Sequence, residues 1–289
     1  MIIRPSSIST FLDCARRWVA QHMAVEVREA GYRLNRLRSH VGAPIGTGVH
    51  GGAAVALGEK KGREMLPVGA RASALDASVS AFATAIEELS GYSNGMNFDA
   101  TASDLPMAEK QVVRMTKAYL DSVDQRPTLQ PMIIEERAAI DIGDGFVLSG
   151  QVDSIVGIEE IGPASEIKDL KTTGARGLPN VAGQIGSYRM IHEGHGRAIE
   201  RASIDLAKRV PMKKAQPDIR FLPVDLEEAE NLARLSLVEI KRTVRAFRQT
   251  RSPKLIRANA ASVFCSDRFC PAYGTGFCRT PLLDLEDRS

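Results

Sequence analysis

The chain has 289 residues, 44% of them hydrophobic and 25% charged, an ordinary globular composition that supplies a core and excludes a disordered class. Lys plus Arg outnumber Asp plus Glu by only 38 to 35, so overall charge names no partner, and a nucleic acid has to be met by a local basic patch. The opening MIIRPSSIST lacks the apolar core of a signal peptide, and no run of about 18 apolar residues exists to span a bilayer, so a soluble, cytoplasmic protein without membrane contact is expected.

Residues 6–23 read as one helix, capped by Ser6 or Ser7, with Ile8, Phe11, Leu12, Ala15, Trp18 and Val19 at helical spacing. Cys14 lies on nearly the same face, where a free cysteine ordinarily behaves as a small core hydrophobe. Arg16 and Arg17 suit a solvated face as readily as a phosphate contact. After a basic segment comes GAPIGTGVHGGAAVAL, Gly42 to Leu57, where glycines lead into an Ala-rich helix carrying His50. Small residues there let another backbone or a phosphate approach closely. His50 taken alone is more often structural than a ligand.

Leu75, Val79, Phe82, Ile86 and Leu89 fall three or four apart and predict a helix over 70–90. Another helix is predicted from Pro106, with Val112, Met115, Tyr119 and Val123 on one side. This block reads as helical scaffold ahead of a sheet.

The period then changes from 3.6 to 2. Met132, Ile134, Glu136, Ala138, Ile140 and Ile142 alternate with a more polar set and are the expected buried face. Glu136 is the odd carboxylate among them, either a strand-end residue reaching water or an additional acid at a site. Gly143, Asp144 and Gly145 make a hairpin turn before a strand over 146–158 that carries Asp153. After a Gly-Pro turn the next strand carries Asp169, Leu170 and Lys171. Alternation puts Asp169 and Lys171 on one side, and the neighbouring strand can bring Asp153 alongside. Like charges that close raise each other's pKa unless a cation holds them, which points to a divalent metal with oxygen ligands and a lysine beside it. Glu166 and Lys168 form the same acid-x-Lys pair on the opposite face, and periodicity does not choose between them; Ile167 on the face of Asp169 and a Thr172, Thr173, Gly174 exit like a strand end opening toward a site favour Asp169 and Lys171.

Val181, Ile185, Tyr188 and Ile191 describe a helix on which Gln184 and Tyr188 are neighbours; such a pair is usually plain surface, but a helix beginning just after the acidic strand could reach a substrate. Further strands are expected over 202–210 and 219–224. The helix from Asp225 is well specified, with acids in its first turn and Lys241, Arg242, Arg245 and Arg248 near its end. That basic end suits DNA, although helix-end basicity needs no ligand. The tail FCSDRFCPAYGTGFC packs Cys265, Cys270 and Cys278 into a turn-rich segment. In a reducing compartment this is a ligand arrangement rather than a disulfide framework, and Cys14 is the one cysteine left to complete it.

Taken in order, SSISTFLDCARRW, GTGVH, GQVDSIV, IKDLKTT, QIGSY and the cysteine tail resemble the RecB-like, iron–sulfur branch of the PD-(D/E)XK nuclease superfamily, which includes the AddB nuclease domain and CRISPR-associated exonucleases. The resemblance implies an α/β, restriction-endonuclease-like core: a central mixed sheet over 132–224, flanked by helices, with a helical insertion over 60–130. It implies a single nuclease domain over 1–289 whose ends are tied by a cluster bound at Cys14 and the 265–278 segment. It also implies that His50, Asp153, Asp169 and the Leu170 main-chain carbonyl bind Mg2+ or Mn2+, that Lys171 positions or activates water, and that Gln184 and Tyr188 contact substrate. Cys14, Cys265, Cys270 and Cys278 then hold a [4Fe-4S] cluster, with zinc the lesser alternative because the tail gaps of four and seven residues are wider than the family's usual two and five. The expected activity is hydrolysis of DNA ends or single strands in recombination, repair, or phage or CRISPR DNA processing, with a recombination or helicase protein as a further partner. The alternative is a non-catalytic DNA-binding protein of the same fold. No G-x-x-x-x-G-K-[ST] phosphate loop is present in these residues, so a fused helicase–nuclease is not expected.

Overall fold

Helical periods build the first half of the chain and strand periods the second. The computed structural model describes residues 1–92, 95–157, 165–174 and 180–278. The chain begins with β1 (Ile2–Ile3), α1 (Ile8–Asp13), α2 (Ala15–His22), α3 (Ala24–Glu29) and β2 (Ser39–His40). Then come α4 (Gly42–Lys60), α5 (Ala70–Tyr92), β3 (Met96–Asn97) and α6 (Leu105–Asp124). The strands β4 (Gln130–Asp141), β5 (Val147–Gly157) and β6 (Ser165–Thr173) lead into α7 (Ala182–Gly194), β7 (Ile199–Lys208), β8 (Arg220–Pro223) and α8 (Leu226–Thr250). The Gly-Pro turn expected between β5 and β6 lies outside the described residues.

The sheet is mixed. β4 runs antiparallel along β5 from Asp141↔Val147 to Gln130↔Gly157. The short β1 pairs in parallel with β5 at Val147 and Leu148, and β6 pairs antiparallel with it at residues 154 to 157. Between those two pairings the β5 edge is open, so β5 and β6 splay apart just past Ser154↔Lys168. β6 continues in parallel with β7, and β7 is antiparallel to β8. Helices cover both faces. One core joins Phe11, Trp18, Val152, Ile155, Ile167, Ile185 and Ile240 of α1, α2, the sheet, α7 and α8. The other joins Val49, Val112, Met115, Val156 and Leu170 of α4, α6 and the opposite sheet face. Among the described residues no helix is long and apolar enough to cross a membrane.

Three departures from the sequence expectation have local causes. The single helix expected over 6–23 is two, because Cys14 takes an extended conformation (φ −153°, ψ 103°) and its thiol accepts from the Arg17 N–H to cap α2. The glycines expected to precede a helix lie inside α4. A Cβ at Gly48 would sit 2.8 Å from the Ser78 carbonyl, and one at Gly52 would sit 2.7 Å from Thr116 and 2.8 Å from the Ala74 carbonyl. The glycines therefore let α4 lie directly on α5 and α6. Finally, strict alternation fails in β4: Ile134 packs into the α4/α6 core, whereas Ala138 and Ile140 pack into the opposite one. Between them Glu135 has φ +50°, and the ladder to β5 is irregular between Pro131 and Ile133, so β4 does not alternate regularly along its length.

The ends of the chain are stitched together. Arg16 donates to the Pro253 and Ile256 carbonyls, Arg257 to those of Phe11 and Leu12, and Asn259 to that of Asp13. Phe277, fully buried, packs edge-on against Tyr32 and Phe247.

Candidate active site

Where β5 and β6 separate, backbone donors lose their strand partners, and a buried donor left unpaired is costly. Asp153 resolves this at Leu170: its Oδ2 accepts from the Leu170 N–H at 2.6 Å. Its Oδ1 lies 3.2 Å from His50 Nδ1, delivered by α4. Glu135 Oε1 is 4.0 Å from the same nitrogen, and its Oε2 accepts from Gln151 Nε2 at 2.6 Å. His50, Glu135 and Asp153 each offer a ligand atom within 4.8 Å of the other two.

Asp169 follows on β6, fully buried on the face toward α7. Lys171 Nζ lies 2.5 Å from its Oδ2, which is buried and has no aligned hydrogen-bond donor. Gln184 Nε2, one turn into α7, donates to Asp169 Oδ1 at 3.3 Å and to Tyr188 Oη at 3.0 Å. The fork thus gathers His50, Asp153, Asp169, Leu170, Lys171, Gln184 and Tyr188. It does not gather Glu136. That carboxylate accepts from Arg197 at 2.8 Å, beside His192, and the left-handed Glu135 takes the place at the fork. A positive φ at glutamate has no sequence signature, and the one hint was a second acid directly adjacent.

Electrostatics follow from burial and crowding. Burial alone would lower His50, but the Asp153 carboxylate overrides it and raises the imidazole to about 9. Burial opposes ionisation of Asp153 too, yet His50 and Lys171 hold it below the usual carboxylate range. Asp169 is pushed up to about 6 by burial, against the pull of Lys171. Burial, then Asp153, raises Glu135, and burial, then Asp169, raises Tyr188. A small cavity of about 10 Å3, room for one water-sized sphere, is lined by His50, Glu135, Asp153, Lys168 and Leu170, together with Tyr119 and Asp205. Asp205 Oδ1 is buried there without a partner. Concentrated acid, one imidazole and unspent buried oxygens fit a hard divalent cation.

The second acid-x-Lys pair borders the same cavity through Lys168, but its charged groups are bonded to each other and to Ser203. Lys168 Nζ donates to Glu166 at 2.8 Å and to Ser203 Oγ at 2.9 Å, and Ser203 donates back to Glu166 at 2.5 Å. The basic end of α8 is likewise paired within the fold: Lys241 and Arg245 with Asp144, Arg248 with Glu26.

A second constellation lies where the chain ends meet. Cys14, Cys265, Cys270 and Cys278 are free thiols that line one cavity together with Arg17. Burial raises the thiols of Cys265 and Cys278 and takes Cys270 to about 11. Among the described residues no three of these sulfurs lie within 4.8 Å of one another.

The model of the PD-(D/E)XK nuclease superfamily matches residues 3–273. The chain belongs to this superfamily. It is therefore a nuclease, a hydrolase whose fold is the α/β arrangement described above. Among solved structures, this nuclease is similar to a protein from Eubacterium rectale described as a candidate exonuclease, with 14% identity, 82% of this chain and 80% of that one covered, and a TM-score of 0.42. An alkaline exonuclease from Laribacter hongkongensis is 12% identical over 69% of this chain and 91% of that one, with a TM-score of 0.30. A third, SSO0001, is 17% identical over 37% of this chain, which spans about half (49%) of that protein, with a TM-score of 0.25. No curated protein matches the nuclease.

Proposed function

We propose that this nuclease is a divalent-metal-dependent deoxyribonuclease acting on DNA ends or single strands, and that it belongs to the RecB-like branch that carries a [4Fe-4S] cluster. The observation that supports the first part is the convergence of Asp153, Asp169 and Lys171 at the open fork, with His50 and Glu135 beside them. In this reading His50, Asp153, Asp169 and the Leu170 carbonyl hold Mg2+ or Mn2+, with Glu135 as the further acid. The imidazole favours Mn2+. The bound cation supplies Lewis-acid polarisation of a phosphoryl oxygen and lowers the pKa of water.

The chain's own groups do the remainder. Lys171 Nζ, held at 2.5 Å by Asp169, donates to a phosphoryl oxygen as negative charge develops and orients the attacking water. Gln184 restrains Asp169 and Tyr188 together. The raised Tyr188 phenol stays protonated, so it serves as a donor to the DNA backbone rather than a base. Leu170, Val156 and Val49 back the site with apolar surface, which keeps these interactions strong. Asp169→Asn and Lys171→Ala, each folded by circular dichroism, should lower DNA hydrolysis at least about a hundredfold. Unchanged hydrolysis in both overturns the assignment.

For the second part, the support is the shared cavity of the four thiols and the buried Arg17 beside them, whose Nε has no partner. A cationic neighbour suits an anionic tetrathiolate centre. Anaerobically purified protein should be brown and contain iron, and Cys270→Ala should lose both colour and thermal stability. One zinc and no iron per chain rejects the cluster.

A further inference from the structure

Beside the fork, at the N-terminus of α4, lies a second concave site. A pocket of about 350 Å3 is lined by His40, Gly42, Thr172, Thr173, Gly174 and Arg209. α4 begins at Gly42; His40 Nδ1 takes the Gly42 N–H and Pro44 has none, so the positive end of the helix dipole meets this space at Ala43, which lines it. A helix end alone would be ordinary. Arg209 makes it otherwise.

Arg209 is 7% exposed, yet its Nε has no hydrogen-bond partner. Its Nη2 is spent on Asp99 Oδ2 at 2.6 Å. Asp99 in turn is saturated on its other oxygen by the Thr101 N–H at 2.8 Å, the Thr101 hydroxyl at 2.6 Å and the Ala102 N–H at 3.2 Å. The acid therefore orients the guanidinium and leaves the rest of its fork for an anion. Two glycines keep that fork clear: a Cβ at Gly42 would come within 3.1 Å of Nη1, and one at Gly174 within 2.9 Å of Nη2 and 3.2 Å of Nε. His40 completes the wall, 3.7 Å from Asp99, with its Nδ1 accepting from the Gly42 N–H at 3.0 Å. A buried planar fork, a helix N-terminus and the Thr172 hydroxyl make a tetrahedral oxyanion site rather than a cation or apolar site.

Its position says whose oxyanion. Thr172 directly follows Lys171 on β6, and Gly42 precedes His50 on α4 by eight residues, a rise of about 12 Å. The pocket thus adjoins the fork, reached from it along β6 and back along α4. We propose that this pocket binds a phosphate of the nucleic-acid strand whose neighbouring phosphodiester lies at the fork. The proposal rests on the nuclease reading above for the identity of the strand, and it adds a substrate subsite with Arg209 as its binding residue.

The test uses the full chain freed of divalent metal, so that cleavage plays no part. Binding of short fluorescent single strands ending in a 5′-phosphate, a 3′-phosphate or hydroxyls only is followed by anisotropy across a salt series. Arg209→Gln keeps a hydrogen bond to Asp99 and removes the charge; it should weaken binding about tenfold or more. If the pocket takes a terminal phosphate, the preference for one phosphorylated end disappears in the variant. If it takes an internal phosphodiester, all three probes weaken alike and the salt slope falls by about 1. Arg209→Lys should recover part of the loss, and Thr172→Val, which leaves the fold's packing intact, should weaken binding in the same sense. Wild-type affinity for every probe in Arg209→Gln overturns the proposal; should that variant not fold, wild-type affinity in both Arg209→Lys and Thr172→Val does so. A protein that cleaves DNA without any dependence on Arg209 refutes the pocket alone, and one that binds as described but never cleaves refutes the nuclease mechanism alone.

Discussion

Replacing Glu135 by glycine should make the metal-free protein more stable and the metal-loaded protein less capable. Glu135 sits at φ +50°, a conformation that costs an L-residue about 1–2 kcal/mol. Glycine removes that cost and returns about 0.5–1 kcal/mol of it as extra freedom in the unfolded chain. The variant also loses a carboxylate that burial and Asp153 both disfavour. The net gain is about 0.5–1 kcal/mol, which for a chain of this size raises the thermal midpoint by about 1–3 °C. Melting in EDTA and then across a Mn2+ titration checks this. At a hundredfold excess over its dissociation constant a ligand adds about 2.7 kcal/mol, and the variant should need a higher Mn2+ concentration to reach the same increment. Glu136→Gly is the control, because it breaks the Arg197 pair and should only destabilise. Equal destabilisation by both glycines, or an unchanged Mn2+ response in Glu135→Gly, refutes the placement of strain and ligand at residue 135.

Gly52→Ala should cost about 1–3 kcal/mol by overpacking, since its Cβ would lie 2.7 Å from Thr116 and 2.8 Å from the Ala74 carbonyl; denaturant melts measure it. Lys168→Met should keep DNA hydrolysis within a few-fold per folded molecule while lowering stability by about 1–3 kcal/mol, because Glu166 loses a buried partner; hydrolysis lost as completely as in Lys171→Ala would place the chemistry on the wrong face. His192 is lowered to about 4 by burial and by Arg197, so the unfolded chain binds the extra proton first as pH falls. Stability from this residue is complete above its unfolded value near 6.5 and drains away between there and about 4, amounting to about 2 kcal/mol after screening by nearby solvent. His192→Gln should flatten that part of the stability profile in urea titrations, and an unaltered profile refutes the effect.

The helix beginning at Asp225 shows how far local pattern reaches. Asp225 Oδ1 accepts from the Glu228 N–H at 3.0 Å, and the arginines of its last turns find acids across the surface. Both the cap and the charge order are written within a few residues of where they act. The glycines of α4 are equally conspicuous in sequence, but whether small residues admit a loop, a phosphate or another helix depends on what lies opposite. Here α5 and α6 lie opposite, and the glycines become helix interior. Cys14 carries no local sign that it breaks a helix, because the gain from leaving helical geometry is made with residues 257–278, far along the chain.

At the fork the same division holds. Alternation along β6 determines that Asp169 and Lys171 share a face and that Glu166 and Lys168 share the other. What each face meets is a tertiary matter: α7 brings Gln184 to Asp169, and β7 closes Ser203 onto Glu166 and Lys168. Sequence by itself determined most of the elements, the order of the acidic strands and the cysteine-rich tail, because these depend on neighbours within one or two turns. Only the folded chain decided that Glu135 rather than Glu136 stands with His50 and Asp153, since a left-handed residue is tolerated there by the surrounding sheet and not encoded by its own side chain. Only the folded chain, too, brought Arg209 and Asp99 to the N-terminus of α4, across 110 residues of sequence, because a buried guanidinium is placed by the surfaces that enclose it.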